Sequence, residues 1–97
     1  MTACYIIYTP SFNKFYVGAT QESVYARLEK HNVKGYDNTA TAYTKDWEIY
    51  LIIECGSYAQ AINIERHIKK MKSKIYIQNL KKYPEMVSEL ISKYKSN

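Results

Sequence analysis

The first apolar run of the chain, ACYIIYT over Ala3–Thr9, is built from β-branched and aromatic residues and predicts a strand. Its two-residue period puts Tyr5 and Ile7 on one face and Cys4, Ile6 and Tyr8 on the other. A polar connection with Pro10, Ser11, Asn13 and Lys14 separates it from FYVGA at residues 15–19, so the two runs predict a hairpin. Helical spacing takes over next. Val24 and Leu28, four apart, form the inward pair of a helix over residues 21–31, with Thr20 placed to cap it and Glu22 in its first turn. Residues 33–46 (VKGYDNTATAYTKD) show neither period, and this polar, turn-rich stretch is the segment expected to meet a ligand. WEIYLIIE, residues 47–54, is long and continuously apolar enough to predict the central strand.

Ser57 and Gln60 form a capping-box pattern ahead of AINIERHIKKMK, in which Ala61, Ile64, Ile68 and Met71 recur at helical spacing. A short helical stretch over residues 76–80 follows. Pro84 then opens a last helix whose buried stripe is Val87, Leu90, Ile91 and Tyr94. The order β-β-α-β-α-α predicts an α/β or α+β fold, a small three-stranded antiparallel sheet flanked by helices.

At 97 residues and 46% hydrophobic content the chain is expected to be one domain over residues 1–97, and it is too apolar for a disordered tail. No apolar run approaches the ~18 residues needed to cross a bilayer, and the N-terminus lacks the pattern of a secretory leader, which predicts a cytoplasmic protein. Cys4 and Cys55 have no CxxC spacing and are expected to be reduced, structural thiols. The net charge of +5 is unevenly spread, at −2 over residues 1–65 and +7 over the last 32. A basic stripe of this kind suits a phosphate backbone and also serves plain solubility.

Three features offer chemistry beyond packing. Tyr5 and Tyr16 lie toward the middle of the two hairpin strands, where their hydroxyls can share one side; taken alone they are a cross-strand aromatic pair. Arg27 and His31 sit one turn apart on a helix face, which in isolation is an ordinary solvated face. Glu65 opens a basic helix, where an ion pair with Lys69 four residues on is the plain explanation.

Together, YII at residues 5–7, YVG at 16–18, ARLEKH at 26–31 and IERHIKK at 64–70 resemble the GIY-YIG nuclease domain, from about residue 3 to about residue 80 and in that family's order of elements. Ala3 and Cys4 stand where the first motif has Gly and Ile, and Val17 where the second has Ile. Ala19 stands where excision-repair members carry Lys, which leaves Lys14 in the turn as a candidate for the cation that lowers a tyrosine pKa. The resemblance implies an active site of Tyr5, Tyr16, Arg27, His31 and Glu65, with Glu65 as the metal ligand and Asn79 as a further site residue. It implies a DNA endonuclease that uses a single Mg²⁺ or Mn²⁺ ion, without a membrane or small-molecule cofactor, in DNA repair or recombination. The small size resembles stand-alone members, so sequence specificity is expected to be low, with recognition directed by DNA shape or supplied by a protein partner.

The residue chemistry agrees with these roles. A lone carboxylate suits a Mg²⁺ that keeps several waters and takes further oxygens from the substrate phosphate. Arg27 offers a fork of donors to non-bridging phosphate oxygens. Either Tyr5 or His31 can be the general base: histidine at ~6.5 starts nearer neutrality than tyrosine at ~10, whereas the resemblance favours Tyr5. Tyr16 would orient the water or phosphate. Lys14, Lys69, Lys70, Lys72 and Lys74, with Lys81, Lys82 and Asn79, are expected to track the DNA backbone. Two other readings fit the same residues: a catalytically weak nucleic-acid-binding module of this fold, and a structural or protein-interaction domain.

Overall fold

A computed structural model describes residues 1–33 and 40–95. β1 (Ala3–Thr9) and β2 (Lys14–Thr20) form the expected hairpin, paired antiparallel from Ala3 opposite Thr20 to Thr9 opposite Lys14. Asn13 takes a φ of 50° at the turn, a conformation that asparagine tolerates better than most residues. The chain continues through α1 (Val24–Asn32), β3 (Glu48–Glu54), α2 (Tyr58–Met71), α3 (Lys74–Lys82) and α4 (Pro84–Lys93). All strand pairs are antiparallel, so the predicted α+β architecture, a three-stranded sheet flanked by helices, is the one observed.

The sheet order is β2-β1-β3, so the central strand is β1 and not the WEIYLIIE strand. Ala3 through Ile7 are all fully buried because β1 is paired on both sides and covered on both faces, whereas most of β3 is half-exposed at an edge. The register against β1 skips from Leu51 to Ile49, leaving Tyr50 as a bulged extra residue. Thr20 is not a helix cap. It remains in β2 opposite Ala3, and its hydroxyl accepts the Glu22 N–H at 3.0 Å in a local turn. Ser23 caps α1 instead, accepting the Tyr25 N–H, and the helix starts at Val24. The Ser57 and Gln60 cap forms as expected, the Ser57 hydroxyl accepting the Gln60 N–H at 3.1 Å and the Gln60 side-chain Oε1 accepting the Gly56 N–H. The short stretch expected over residues 76–80 is a nine-residue helix. Met71 leaves the buried stripe and is exposed, because α2 ends there with Lys72 in the left-handed region at φ 49°.

The period of two in β1 separates two cores. Cys4, Ile6, Val17 and Ile53 face α2, α3 and α4 through Ile64, Ile68, Ile77, Leu80 and Leu90. Ala3, Tyr5 and Ile7 face the other way, onto Val24 of α1 and Trp47. Each fully buried Ile contributes on the order of 1.5–3 kcal/mol, so the α2 side is the stronger layer. Both cysteines are free thiols, and burial pushes the Cys4 pKa up. No helix among the described residues is long and apolar enough to cross a membrane.

Asp46 fastens the hairpin turn to the segment before β3. Its carboxylate accepts from the Thr9 and Thr44 hydroxyls at 2.5 and 2.6 Å, from the Ser11 N–H at 3.0 Å and from the Ser11 hydroxyl. These donors favour the charged form and hold its pKa well below the usual carboxylate range. A carboxylate with a depressed folded pKa stabilises fully above its unfolded value near ~3.9 and loses that contribution as pH falls towards the folded value. The urea midpoint of the wild type is therefore expected to drop below about pH 4 more steeply than that of Asp46→Asn, which is less stable at neutral pH. Parallel acid profiles would overturn this.

Candidate active site

β1, β2 and α1 bring four of the five expected residues around one imidazole. Tyr5 lies opposite Gly18 and Tyr16 opposite Ile7, so both tyrosines point to the α1 face of the hairpin as the spacing predicted. The Tyr5 hydroxyl is 2.9 Å from His31 Nε2, and the Tyr16 ring stands 5.1 Å from the His31 ring. His31 is 1% exposed and Tyr5 1% exposed, while Tyr16 is half-buried. Burial and the nearby Arg27 charge lower the His31 pKa to about 4, so the ring is neutral near pH 7. In a neutral imidazole one nitrogen donates and the other accepts. The hydroxyls of Tyr5 and Thr41, which take Nε2 and Nδ1, therefore play opposite roles.

Thr41 is a site residue that the sequence reading missed. Its hydroxyl meets His31 Nδ1 at 2.8 Å and its carbonyl accepts the Trp47 indole N–H at 3.0 Å. Trp47 is in turn held by Asn32, whose side-chain amide bonds both the Trp47 N–H and C=O at 2.8 and 2.9 Å. Thr41 belongs to the polar stretch singled out for ligand contact, of which residues 34–39 lie outside the described residues. No periodicity or motif marks it out.

Arg27 lies 3.8 Å from the Glu22 carboxylate, which also takes Lys30 at 2.9 Å. Arg27, Glu22 and Lys30 line an open cavity of about 500 Å³ with Thr20 and Ala19, so the guanidinium borders a space that a phosphate can enter.

Glu65 arrives from α2, on the far side of the sheet. Its side chain is 17% exposed and its carboxylate is 2.7 Å from Lys69 Nζ; the same ammonium stands 5.5 Å over the Tyr16 ring, joining Glu65 to the tyrosine cluster around the β2 edge. The cation beside Tyr16 is thus Lys69; the Lys14 ammonium stands over Tyr43. Lys14, Tyr16, Lys69, Lys72 and Lys74 line one groove of about 430 Å³ between β2 and the end of α2. Of the other expected backbone contacts, Lys70 lines a different cavity on the α4 side of α2 and half-buried Asn79 lies on α3 outside the groove. Lys81 and Lys82 stand over the rings of Tyr50 and Tyr83. Among the described residues no cluster of three or more His, Cys, Asp or Glu is placed to hold a metal; the single carboxylate near Tyr16 is Glu65, and that near Arg27 is Glu22, already paired with Lys30. That donor set fits a Mg²⁺ or Mn²⁺ ion that takes its remaining oxygens from water and phosphate, and does not fit a metal needing a full protein cage.

Compared with models of known families, residues 1–83 match the GIY-YIG catalytic domain. The chain belongs to the GIY-YIG family. The GIY-YIG domain is in general a nuclease domain, and its substrate is DNA. Neither curated proteins nor solved structures gave a match.

The glycine of this GIY-YIG chain's second motif has a direct physical reason. A Cβ built on Gly18 would fall 2.6 Å from both Cζ and the hydroxyl oxygen of Tyr5, a ring with no free space to move into. Gly18→Ala is expected to destabilise the fold by about 1–3 kcal/mol through overpacking and to break the Tyr5 bond to His31. Chemical denaturation and a cleavage assay check the two effects together; an alanine variant as stable and active as the wild type would contradict the packing described.

Proposed function

We propose that this protein is a metal-dependent DNA endonuclease that hydrolyses phosphodiester bonds with low sequence specificity, directed by DNA shape, and that it serves DNA repair or recombination. The observation that carries the reading is the hydrogen bond between Tyr5 and a neutral, buried His31, with Tyr16 and Arg27 beside them and Glu65 at the rim.

Glu65 would hold the Mg²⁺ or Mn²⁺ ion once Lys69 yields its place, and the bound ion supplies Lewis-acid stabilisation of charge on the phosphate. Arg27 turns from Glu22 to a non-bridging oxygen of the scissile phosphate, which it can grip bidentately. Tyr16, the more exposed tyrosine, orients the phosphate and the attacking water. Behind it, Tyr5 and His31 act as one proton acceptor: His31 engages the Tyr5 and Thr41 hydroxyls through its two nitrogens, and the Tyr5 hydroxyl is its route to the substrate. Burial is the main cause that keeps His31 neutral, and a phosphate on Arg27 offsets the second, the guanidinium charge, so substrate binding raises the basicity of the pair in part. Lys14, Lys69, Lys72 and Lys74 hold the flanking backbone, which positions DNA without reading its sequence.

The test is incubation of the wild-type protein with supercoiled plasmid and with flap, fork and Holliday-junction oligonucleotides in Mg²⁺ or Mn²⁺, with and without chelator. Nicking that stops on chelation, with one branched substrate preferred, is the expected result. A folded protein that binds these DNAs and cuts none of them would favour the binding-module reading instead.

A further inference from the structure

The turn between β1 and β2 holds an aromatic residue that turn formation does not call for. Pro10, Ser11 and Asn13 are ordinary turn residues, but Phe12 among them is 49% exposed. It meets Tyr43, itself 43% exposed, edge to face, with ring centroids 4.8 Å apart at 86°. Two perpendicular rings cover at most one face of each other, so the pair keeps flat apolar surface open to solvent. Its mount is fixed from several sides. Tyr43 is backed by the buried Trp47 ring at 5.9 Å, and the Asp46 carboxylate accepts from a chain neighbour of each ring: the N–H and hydroxyl of Ser11 beside Phe12, and the hydroxyl of Thr44 beside Tyr43. On the other side of Phe12, Asn13 is held through its side-chain oxygen by the Tyr8 hydroxyl at 2.8 Å and through its carbonyl by Lys74 at 2.6 Å. Backbone fixed in this way gives up little freedom when the pair takes a ligand.

Charge chooses the ligand. The Lys14 ammonium stands 5.7 Å from the centre of the Tyr43 ring, and Lys14 also lines the groove of Tyr16, Lys69, Lys72 and Lys74, so the aromatic pair continues the cationic groove. Aromatic rings beside cations that track a phosphate backbone are the combination that stacks nucleobases. Two half-exposed rings fall well short of one partner's share of the ~1,000 Å² that a stable protein interface needs, whereas a single planar base matches their surface. A base inside a continuous duplex is already stacked on both sides; one that is mismatched or in a single strand costs least to splay out. We propose that Phe12 and Tyr43 form a stacking site for an unpaired nucleobase of the DNA strand whose phosphate lies on Lys14. This rests on the reading of the protein as a DNA endonuclease, and it names the feature of the substrate that the turn reads: a flat base free of its pairing partner.

Removing the bases while keeping the phosphates isolates this contact. Binding is measured by fluorescence anisotropy in chelator for the wild type, Phe12→Ala, Phe12→Leu and Phe12→Tyr, on a duplex, on the same duplex with a single-stranded overhang, and on that overhang made abasic. The ordinary strength of base–aromatic stacking corresponds to a factor of about 5–150 in affinity. Phe12→Ala is therefore expected to weaken binding of the overhang DNA by a factor in that range and to match the wild type on the duplex and on the abasic DNA. Phe12→Leu, which keeps apolar bulk without a π face, should behave as the alanine variant does, and Phe12→Tyr should restore binding. Overhang binding unchanged in Phe12→Ala, or weakened equally on all of these DNAs, would overturn the proposal; the first result would leave the pair to a protein partner. Phe12 is exposed at a turn, so an unchanged melting temperature verifies the fold of each variant. A wild type that neither binds nor cuts DNA would remove the endonuclease reading itself, whereas a wild type that cuts beside unaffected Phe12 variants would remove only the stacking site.

Discussion

Glu65→Ala is expected to abolish DNA cleavage in Mg²⁺ and in Mn²⁺, by about 10³-fold or more, without unfolding the protein. Loss of several kcal/mol of Lewis-acid stabilisation corresponds to rate factors of that order. The fold should tolerate the change, because the Lys69 pair that Glu65 makes lies at the surface, where such pairs contribute about 0–1 kcal/mol. Glu65→Gln should be equally inactive: the amide keeps the shape and removes the charge that attracts a cation. Arg27→Ala is expected to cost about 10²–10³-fold, the range for removing a donor aimed at developing negative charge, and Arg27→Lys should rescue little because an ammonium lacks the bidentate fork. Single-turnover cleavage beside melting curves checks all four variants. Wild-type rates in Glu65→Ala and Arg27→Ala would sink the assignment of the site.

Tyr5→Phe is expected to lower the cleavage rate by about 10²–10⁴-fold, the span of a lost general acid–base group. The phenyl ring still fills the space above Gly18, so the core survives. The stability cost is about 1–3 kcal/mol for leaving His31 Nε2 buried without this partner. Thr41→Val separates positioning from chemistry. Valine keeps the volume and removes the hydroxyl from His31 Nδ1, so the rate should fall less than in Tyr5→Phe, with a shifted acid limb in the pH–rate profile and rescue by Thr41→Ser. The depressed His31 pKa also sets the direction of the wild-type stability profile. A histidine kept neutral when folded stabilises fully above its unfolded pKa of ~6.5 and loses that contribution as pH falls towards about 4. This window lies above the one governed by Asp46, so acid should weaken the protein in two stages.

Much of this was legible in the chain, and the failures are as physical as the successes. The parity of the hairpin placed Tyr5 and Tyr16 on one face because the strand period leaves no other choice once the turn is located at residues 10–13. The i, i+4 rule found the Glu65–Lys69 pair. It could not show that the same ammonium lies over Tyr16, since that contact joins α2 to β2 around the sheet edge. The central strand was misread because an apolar run records burial without recording how many neighbours a strand has; β3 supplies both cores, Tyr50, Leu51 and Ile53 to one and Ile49 and Ile52 to the other, while pairing on one side only. Thr20 fits the cap preference as well as Ser23 does, and pairing with Ala3 decides between them. Thr41 stayed hidden because a hydroxyl that matters only through His31 leaves no pattern among the other polar residues of its segment.

The position of β2 at the edge of the sheet has a consequence for the molecule in solution. Its outer side offers unpaired N–H and C=O groups, a template on which another chain's strand can grow. The lysines at 14, 69, 72 and 74 crowd that same rim, and like charges along an edge keep two copies from zipping together. On the proposed reading the surface that holds DNA also opposes edge-to-edge pairing of two copies, and a chain stripped of these cations to weaken its grip on DNA is expected to aggregate more readily.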